Sequence, residues 1–505
     1  MLSCSDLIFP KGFLWGISMS AFQYEMGFSK ESVDPNSDWY VWLHDESNIR
    51  KGVVSGDLPE KGPGYWDLFR KDHSLGRWLG LDAWRLNPEW SRIFPRPTKE
   101  VKVYVSEDDE GIKDIEISER ALEELDKIAN RSAVERYREI FLDLKGRGMK
   151  LILNLYHWPL PIWLHDPITA RDTNLSKGPR GWVDKDTIIE FAKFAAFVAW
   201  KYGDLVDLWS TFNEPNVTWT TGYTGGNFPP GVSNVEGMMK AALNMVHAHA
   251  RAYDQIKRVV GSNARVGVIY AVSPAEPLNS SHASAAERAN YFMNLWFFES
   301  IINGVLGGSI GDKEGASKRE DLRDRADWIG VNFYARSVVR EKKEWPGFEV
   351  VENYGHHCKQ SSVSAAGRPT SEFGWELYPE GIRSAVNLYR KYGRPIAVTE
   401  NGIADEADRH RPWFLVANLY HLYKAIKEDG LNVFGYFHWS LIDNLEWAMG
   451  FRMRFGLFYV NMDTKERVPR PSAFIYRHII ENNGIPSYML EYSRIPNFFI
   501  RTTKT

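Results

Sequence analysis

Ile396-Ala397-Val398-Thr399-Glu400-Asn401-Gly402 is the stretch on which the reading of this chain turns. Four apolar or β-branched residues run straight into a carboxylate, and Asn-Gly follows. A short continuous apolar run of this kind predicts a strand buried on both faces. Asn-Gly predicts a turn with φ > 0 at its residues. Glu400 therefore stands at the C-terminal end of a buried strand, where the chain leaves the sheet. A carboxylate there is costly unless it is paired or used. An Arg partner at a sheet rim and a catalytic role fit this strand alone equally well.

Seven further runs resemble it. They begin at Phe13-Leu14-Trp15, Ala83-Trp84-Arg85, Leu151-Ile152-Leu153, Leu208-Trp209-Ser210, Val266-Gly267-Val268, Trp328-Ile329-Gly330 and Val433-Phe434-Gly435. Between several of them the apolar period changes to a helical one, as at Tyr137/Ile140/Phe141/Leu144, Ile188/Phe191/Ala195/Val198, Ile382/Ala385/Val386/Tyr389 and Leu415/Leu419/Leu422/Ile426. Eight buried strands alternating with helices predict an α/β chain folded as one (β/α)₈ barrel, a TIM barrel, over residues 1–505. A doubly wound sheet is the competitor. It lacks its glycine-rich phosphate turn after the first strand. The 505 residues require loop insertions. One is expected at 95–133, where Glu107-Asp108-Asp109-Glu110 suggests a solvated excursion. A second, polar one is expected at 341–373.

Composition narrows the function classes. The net charge of −3 gives no basic field for nucleic acid or an anionic membrane. No run reaches ~18 apolar residues, so no membrane span is expected. The first residues lack a basic segment followed by an apolar one, so no secretory leader is expected and a cytoplasmic protein is the default. The two cysteines, Cys4 and Cys358, suggest no disulfide framework. His356-His357-Cys358 lacks further ligands at a metal-like spacing, and neither a metal nor another cofactor is expected. Twenty Trp stand among 14% aromatic residues; most are expected in the core, and some excess is what a site that stacks flat apolar ligand faces would need. Trp84 and Trp209 are expected to be core.

In a barrel of this kind the active site lies at the C-terminal strand ends. The fourth strand ends in Thr211-Phe212-Asn213-Glu214-Pro215, and the seventh at Glu400. Two carboxylates thus meet at one mouth, and paired carboxylates flanking one bond are the requirement of glycoside hydrolysis. One must be held protonated and the other ionised. The other strand ends offer Gln23 and Glu25, Arg85 and Asn87, His157 and Trp158, Asn332 and Tyr334, and Trp439 with Glu446 and Trp447. Hydrogen-bonding groups beside flat indole faces suit a neutral polyol ring.

Three motifs resemble glycoside hydrolase family 1, the retaining β-glycosidases: Phe13-Leu14-Trp15-Gly16 through Ser20-Ala21-Phe22-Gln23-Tyr24-Glu25, Thr211-Phe212-Asn213-Glu214-Pro215, and Val398-Thr399-Glu400-Asn401-Gly402. Asp34-Pro35-Asn36-Ser37-Asp38-Trp39-Tyr40 and Ser55-Gly56-Asp57-Leu58-Pro59-Glu60 look like its archaeal, thermophile-type branch, as does Pro159 after His157-Trp158. The resemblance implies Glu400 as nucleophile, Glu214 as acid and base, and Arg85 and Tyr334 as the groups that hold the nucleophile. It implies Asn213 at the sugar 2-OH, and Gln23, His157, Trp158, Trp439, Glu446 and Trp447 in the sugar pocket, with Trp375 on the leaving-group side. Glu446 would repel a 6-phosphate and suit the 4- and 6-hydroxyls. Terminal β-D-glucosyl, galactosyl or fucosyl groups of oligosaccharides and of aryl or alkyl glycosides are the substrates implied. Thermostability and a tetramer or dimer are also implied. A transglycosidase with the same chemistry, or a sugar-binding barrel without catalysis, are the rivals.

Overall fold

In a computed structural model, residues 5–313 and 315–493 are described; Cys4 lies outside them. Eight parallel strands close into a barrel: β1 Leu14–Ser18, β2 Ala83–Leu86, β3 Lys150–Tyr156, β4 Leu208–Asn213, β5 Val266–Ala271, β6 Trp328–Asn332, β7 Ile396–Asn401 and β8 Val433–His438. Each strand pairs with its successor, and β8 closes on β1 through Gly435↔Leu14 and Phe437↔Gly16. The outer ring is α1 Tyr65–Leu79, α2 Arg131–Gly146, α3 Asp186–Tyr202, α4 Val235–Val260, α5 Trp296–Asn303, α6 Gly381–Asn387, α7 Arg411–Lys427 and α8 Pro471–Glu481. Among the described residues, no helix is long and apolar enough to cross a membrane.

Strand residues alternate between the barrel interior and the helices. Leu14, Ala83, Ile152, Leu208, Ile269, Trp328, Ala397 and Phe437, one from each strand, form a separate buried cluster that plugs the barrel. Large and small members interlock: a Cβ on Gly16 would meet the Phe437 ring at 2.3 Å. Trp84 and Trp209 are buried core residues, as expected.

Three strands break the regular register: β8 holds one extra residue near its start, where Ile396 pairs with Val433 but Ala397 with Gly435, and β4 and β7 do so near their ends. Along β4, Ser210 pairs with Gly267 but Asn213 with Ile269, so β4 holds one extra residue. Along β7, Val398 pairs with Val331 but Glu400 with Asn332. The β8 side shows the same excess, Val398↔Tyr436 and Asn401↔His438. A bulge of one residue reverses which face the following side chains take. The bulges on β4 and β7 fall just before a glutamate, Glu214 and Glu400.

Two sequence expectations change. The strand β7 continues through Asn401, and neither Asn401 nor Gly402 has positive φ. Glycine at 402 answers a different demand, because a Cβ there would lie 1.9 Å from the Trp439 carbonyl oxygen. Second, the 95–133 insertion is no solvated excursion. It folds into a hairpin, Tyr104–Asp108 with Gly111–Glu116, and a helix, Glu119–Ile128. The charged run sits at the hairpin tip, while Ile112 and Ile115 are fully buried. Their carbonyls accept from Arg251 (3.1 Å) and Gln255 (2.7 Å) of α4. The polar 341–373 segment brings His356, His357 and Phe373 to the cavity at the barrel mouth.

Gly402→Ala should cost about 3 kcal/mol, in the range of overpacked cores where backbone must shift. Gly146→Ala, at the exposed end of α2 with open space around it, should be neutral. Denaturant midpoints of the two variants measure the difference.

Candidate active site

The strand ends open into a cavity of about 480 Å³. Its walls include Glu214 from the end of β4, Asn332 from β6, Tyr334 just beyond it and Glu400 from β7. His157, Trp158, Trp375, Trp439, Glu446 and Trp447 complete the expected set on the walls. Arg85, Asn213 and Gln23 stand behind the wall, each almost wholly buried.

The two β-bulge glutamates have unlike surroundings. The Arg85 guanidinium donates from Nη1 to Glu400 Oε1, and Tyr334 OH donates to Oε2 at 2.8 Å. Arg85 Nη2 donates to Asn213 Oδ1 at 2.6 Å. Burial pushes the Glu400 carboxyl up, and Arg85 and then Tyr334 oppose that rise. Glu214 accepts one neutral hydrogen bond, from Asn332 Nδ2 at 2.8 Å. Burial first, and then the Glu400 charge, push its carboxyl up to about 8. Of the two, Glu400 has the cation and Glu214 keeps the proton. Glu214 also takes a left-handed backbone, φ 48° and ψ 57°, directly before Pro215 opens a helix. Such a conformation in a non-glycine residue costs about 1–3 kcal/mol and is held by its surroundings. Here the Glu214 amide donates to the Ile269 carbonyl at 2.8 Å.

Asn213 ties the site together. Its Oδ1 also accepts from Asn332 Nδ2 (3.0 Å), and its Nδ2 donates to His157 Nε2 (2.9 Å). Burial and then the Arg85 charge keep the His157 ring neutral. Trp158 Nε1 donates to the Asn213 carbonyl at 2.9 Å, so this indole braces the site while its face lines the cavity. Gln23 Nε2 donates to Leu445 O (2.8 Å), Asn444 Oδ1 (3.0 Å) and Glu446 Oε2 (3.4 Å). Its Oε1 is buried without a partner. Trp375 stacks on Phe373 (centroids 4.2 Å apart) and leans on Tyr334 (5.1 Å).

Three sequence readings need correction. Glu25 faces away from the cavity: it pairs with Arg92 at 3.0 Å and accepts from Tyr137 OH at 3.1 Å. Asn87 is a strut, accepting from the Ala21 amide at 2.9 Å and donating to Glu89 at 3.0 Å. Glu446 is no flexible anion. Burial, followed by the Glu400 charge, raises it to about 8. Asn332 was a strand-end residue with no part assigned; its bond to Glu214 makes it central. The wall formed by Val217, Thr220 and Phe228 after β4 was missed, because nothing in its composition distinguishes it from an ordinary helix and loop.

The arrangement places an acid and a hydrogen-bonded carboxylate on one cavity walled by indoles. A profile of the family described as Glycosyl hydrolase family 1 matches residues 5–105 and 125–485. A β-galactosidase of Saccharolobus solfataricus is 48% identical over 491 residues, 97% of this chain and 98% of that protein. The crystal structure of the β-glycosidase from the hyperthermophile Thermosphaera aggregans superposes with a TM-score of 0.92 at 45% identity, covering 97% of this chain and all of that one. A β-glucosidase mutant derived from a hyperthermophilic tetrameric structure gives 0.90 at 44% identity, over 98% and 100%.

Replacing Glu446 by Gln should stabilise the fold at high pH. The folded state holds this proton to about pH 8, whereas the unfolded group ionises near 4.5. The native group's contribution is therefore present below pH 4.5 and is lost as pH rises to 8. One pKa unit is worth about 1.4 kcal/mol, so the variant should gain on the order of a few kcal/mol at pH 8 and nothing at pH 4. Melting temperatures at the two pH values test this.

Proposed function

The chain belongs to glycosyl hydrolase family 1, and from that premise we propose that Glu400 is its nucleophile and Glu214 its acid and base. The protein is a glycoside hydrolase of the β-glycosidase class, for which retention is general. The observation that carries the residue assignment is the inequality of the two carboxyls: one is bonded to Arg85 and Tyr334, the other accepts from the neutral Asn332 amide.

Glu400 attacks the anomeric carbon as its bond to the leaving oxygen breaks, and Glu214 delivers its proton to that oxygen. Forming the ester removes the Glu400 charge that had been raising Glu214. Glu214 can then give up a proton, and it takes one from the water that attacks the same carbon and frees Glu400. Asn332 keeps the Glu214 carboxyl in place through both half-reactions. The unpartnered Gln23 oxygen and the Glu446 carboxyl support recognition of hydroxyls at the closed end, as expected of an enzyme that removes terminal sugars. Among the described residues the cavity walls carry no lysine or arginine, and Arg85 is engaged by Glu400. A sugar phosphate would find no counter-charge there, so unphosphorylated β-D-glucosides, galactosides and fucosides are the proposed substrates. Exposed Phe474 and Tyr488, with the tetrameric origin of one structural neighbour, support assembly of several copies.

Two outcomes are expected. Proton NMR of aryl β-glucoside hydrolysis should show the β-anomer first; initial α-sugar would remove Glu400 as nucleophile. Glu214→Gln should lower kcat/KM about 10²–10⁴-fold for a poor leaving group, the span of general acid catalysis. It should change the first step far less for a dinitrophenyl glycoside, whose leaving group needs no proton. Equal losses on both substrates would argue against Glu214 as the acid.

A further inference from the structure

Beyond the carboxyl pair, a second buried ionic group lies under one wall of the cavity. Glu376 follows Trp375 and is fully buried. Arg336 stands two residues past Tyr334. It grips Glu376 with two bonds, Nε to Oε2 at 2.8 Å and Nη2 to Oε1 at 3.1 Å. Its Nη1 reaches Glu276 at 2.7 Å, on the segment after β5. Ser364 Oγ donates to Glu376 Oε1 at 2.7 Å.

The loop bearing His356 is drawn into the same knot. The Gly355 amide donates to Glu376 Oε2 at 3.2 Å, and the Glu376 amide donates back to the Gly355 carbonyl at 2.8 Å. Gly355 has φ +55°, and a Cβ there would lie 1.9 Å from the Arg336 carbonyl oxygen; only glycine allows the approach. Above the knot, the His356 ring meets Trp375 edge-on at 5.2 Å, and Trp375 leans on Tyr334. The segments that carry Tyr334, His356 and Trp375 to the cavity are therefore joined through one carboxylate. Burial alone would raise that carboxyl, but the Arg336 bonds outweigh it and hold Glu376 below the ordinary value, so it remains charged at neutral pH.

We propose that Glu376, held by Arg336, is the positioning residue of the leaving-group wall, fixing the Trp375 indole so that the site selects flat apolar leaving groups and acceptors. Glu376 touches neither sugar nor reacting atoms and acts through Trp375. A buried bidentate pair suits this task, because its planar geometry admits one arrangement of the two loops. The inference rests on the reading of Glu400 and Glu214 above and on Trp375 facing the leaving group.

Acceptor competition isolates the wall from the chemistry. With one activated aryl glucoside as donor, the glycosyl-enzyme is captured by water, ethanol or benzyl alcohol. In each capture the acceptor oxygen bonds the anomeric carbon, the ester to Glu400 breaks, and the acceptor proton passes to Glu214. The wild type should transfer to benzyl alcohol in clear preference to ethanol at equal concentration. Glu376→Gln should reduce that preference about tenfold while the ethanol-to-water ratio changes less than twofold. In a Trp375→Leu background, Glu376→Gln should have no further effect on the preference, since the group it positions is gone. An unchanged benzyl preference in Glu376→Gln, or an equal loss in the Trp375→Leu background, would overturn the proposal. Should Glu376→Gln fail to fold, Ser364→Ala, which removes one bond to the carboxylate, must shift the preference in the same direction by a smaller factor; no shift would count against the proposal. Absence of any glucosyl transfer or release by the wild type would instead defeat the reading of the catalytic pair.

Discussion

The Arg85–Glu400 pair is the interaction on which the rest of the site depends. Both groups are almost entirely excluded from water, where an isolated charge of either sign would be very costly. Together they leave one anion in the barrel mouth with its cation fixed behind it. Neighbouring ionisable groups respond to one or other member of that pair. Glu214 and Glu446 are each raised by burial and by the Glu400 charge, and His157 stays neutral partly because Arg85 is close. A cavity with three carboxyls and one guanidinium is thereby brought near to neutrality by its own geometry. Loss of the Glu400 charge would remove one of the causes that raise Glu214.

This arrangement is built with backbone as much as with side chains. The two bulges on β4 and β7 give each strand one residue more than its neighbour. Without them Glu214 and Glu400 would follow the ordinary alternation. The left-handed Glu214 backbone and the close passage of Gly402 under the Trp439 carbonyl are further local departures. They cluster where the cavity is, above the apolar plug of eight residues. Strain is tolerated at the mouth because the closed barrel beneath it over-determines the positions of the strand ends.

A second ionic group, Arg336–Glu376, repeats the device at the rim for a different purpose. There the charges join loops that come from after β5, β6 and the following insertion. Loops carry the variation of a barrel enzyme, and an ion pair with planar geometry gives such loops a definite relation to the fixed chemical centre.

The barrel itself was legible in the sequence, because a strand buried on both faces must be apolar throughout and a helix on its outside must repeat every three to four residues. The carboxylates were legible too: Glu214 and Glu400 each end such a run, and a charge in that place demands an explanation. Tertiary structure decided the rest. Whether a polar residue at a strand end faces the cavity depends on register, and register is set by neighbouring strands. So Glu25 and Asn87 turned out to be struts, Asn332 became the partner of Glu214, and Asn-Gly proved to be a close backbone crossing without a left-handed turn. The 95–133 insertion buried its isoleucines against α4, a surface its own sequence does not contain. The protonation of Glu446, finally, belongs to no residue alone, since it follows from burial beside a carboxylate that only the closed barrel brings near.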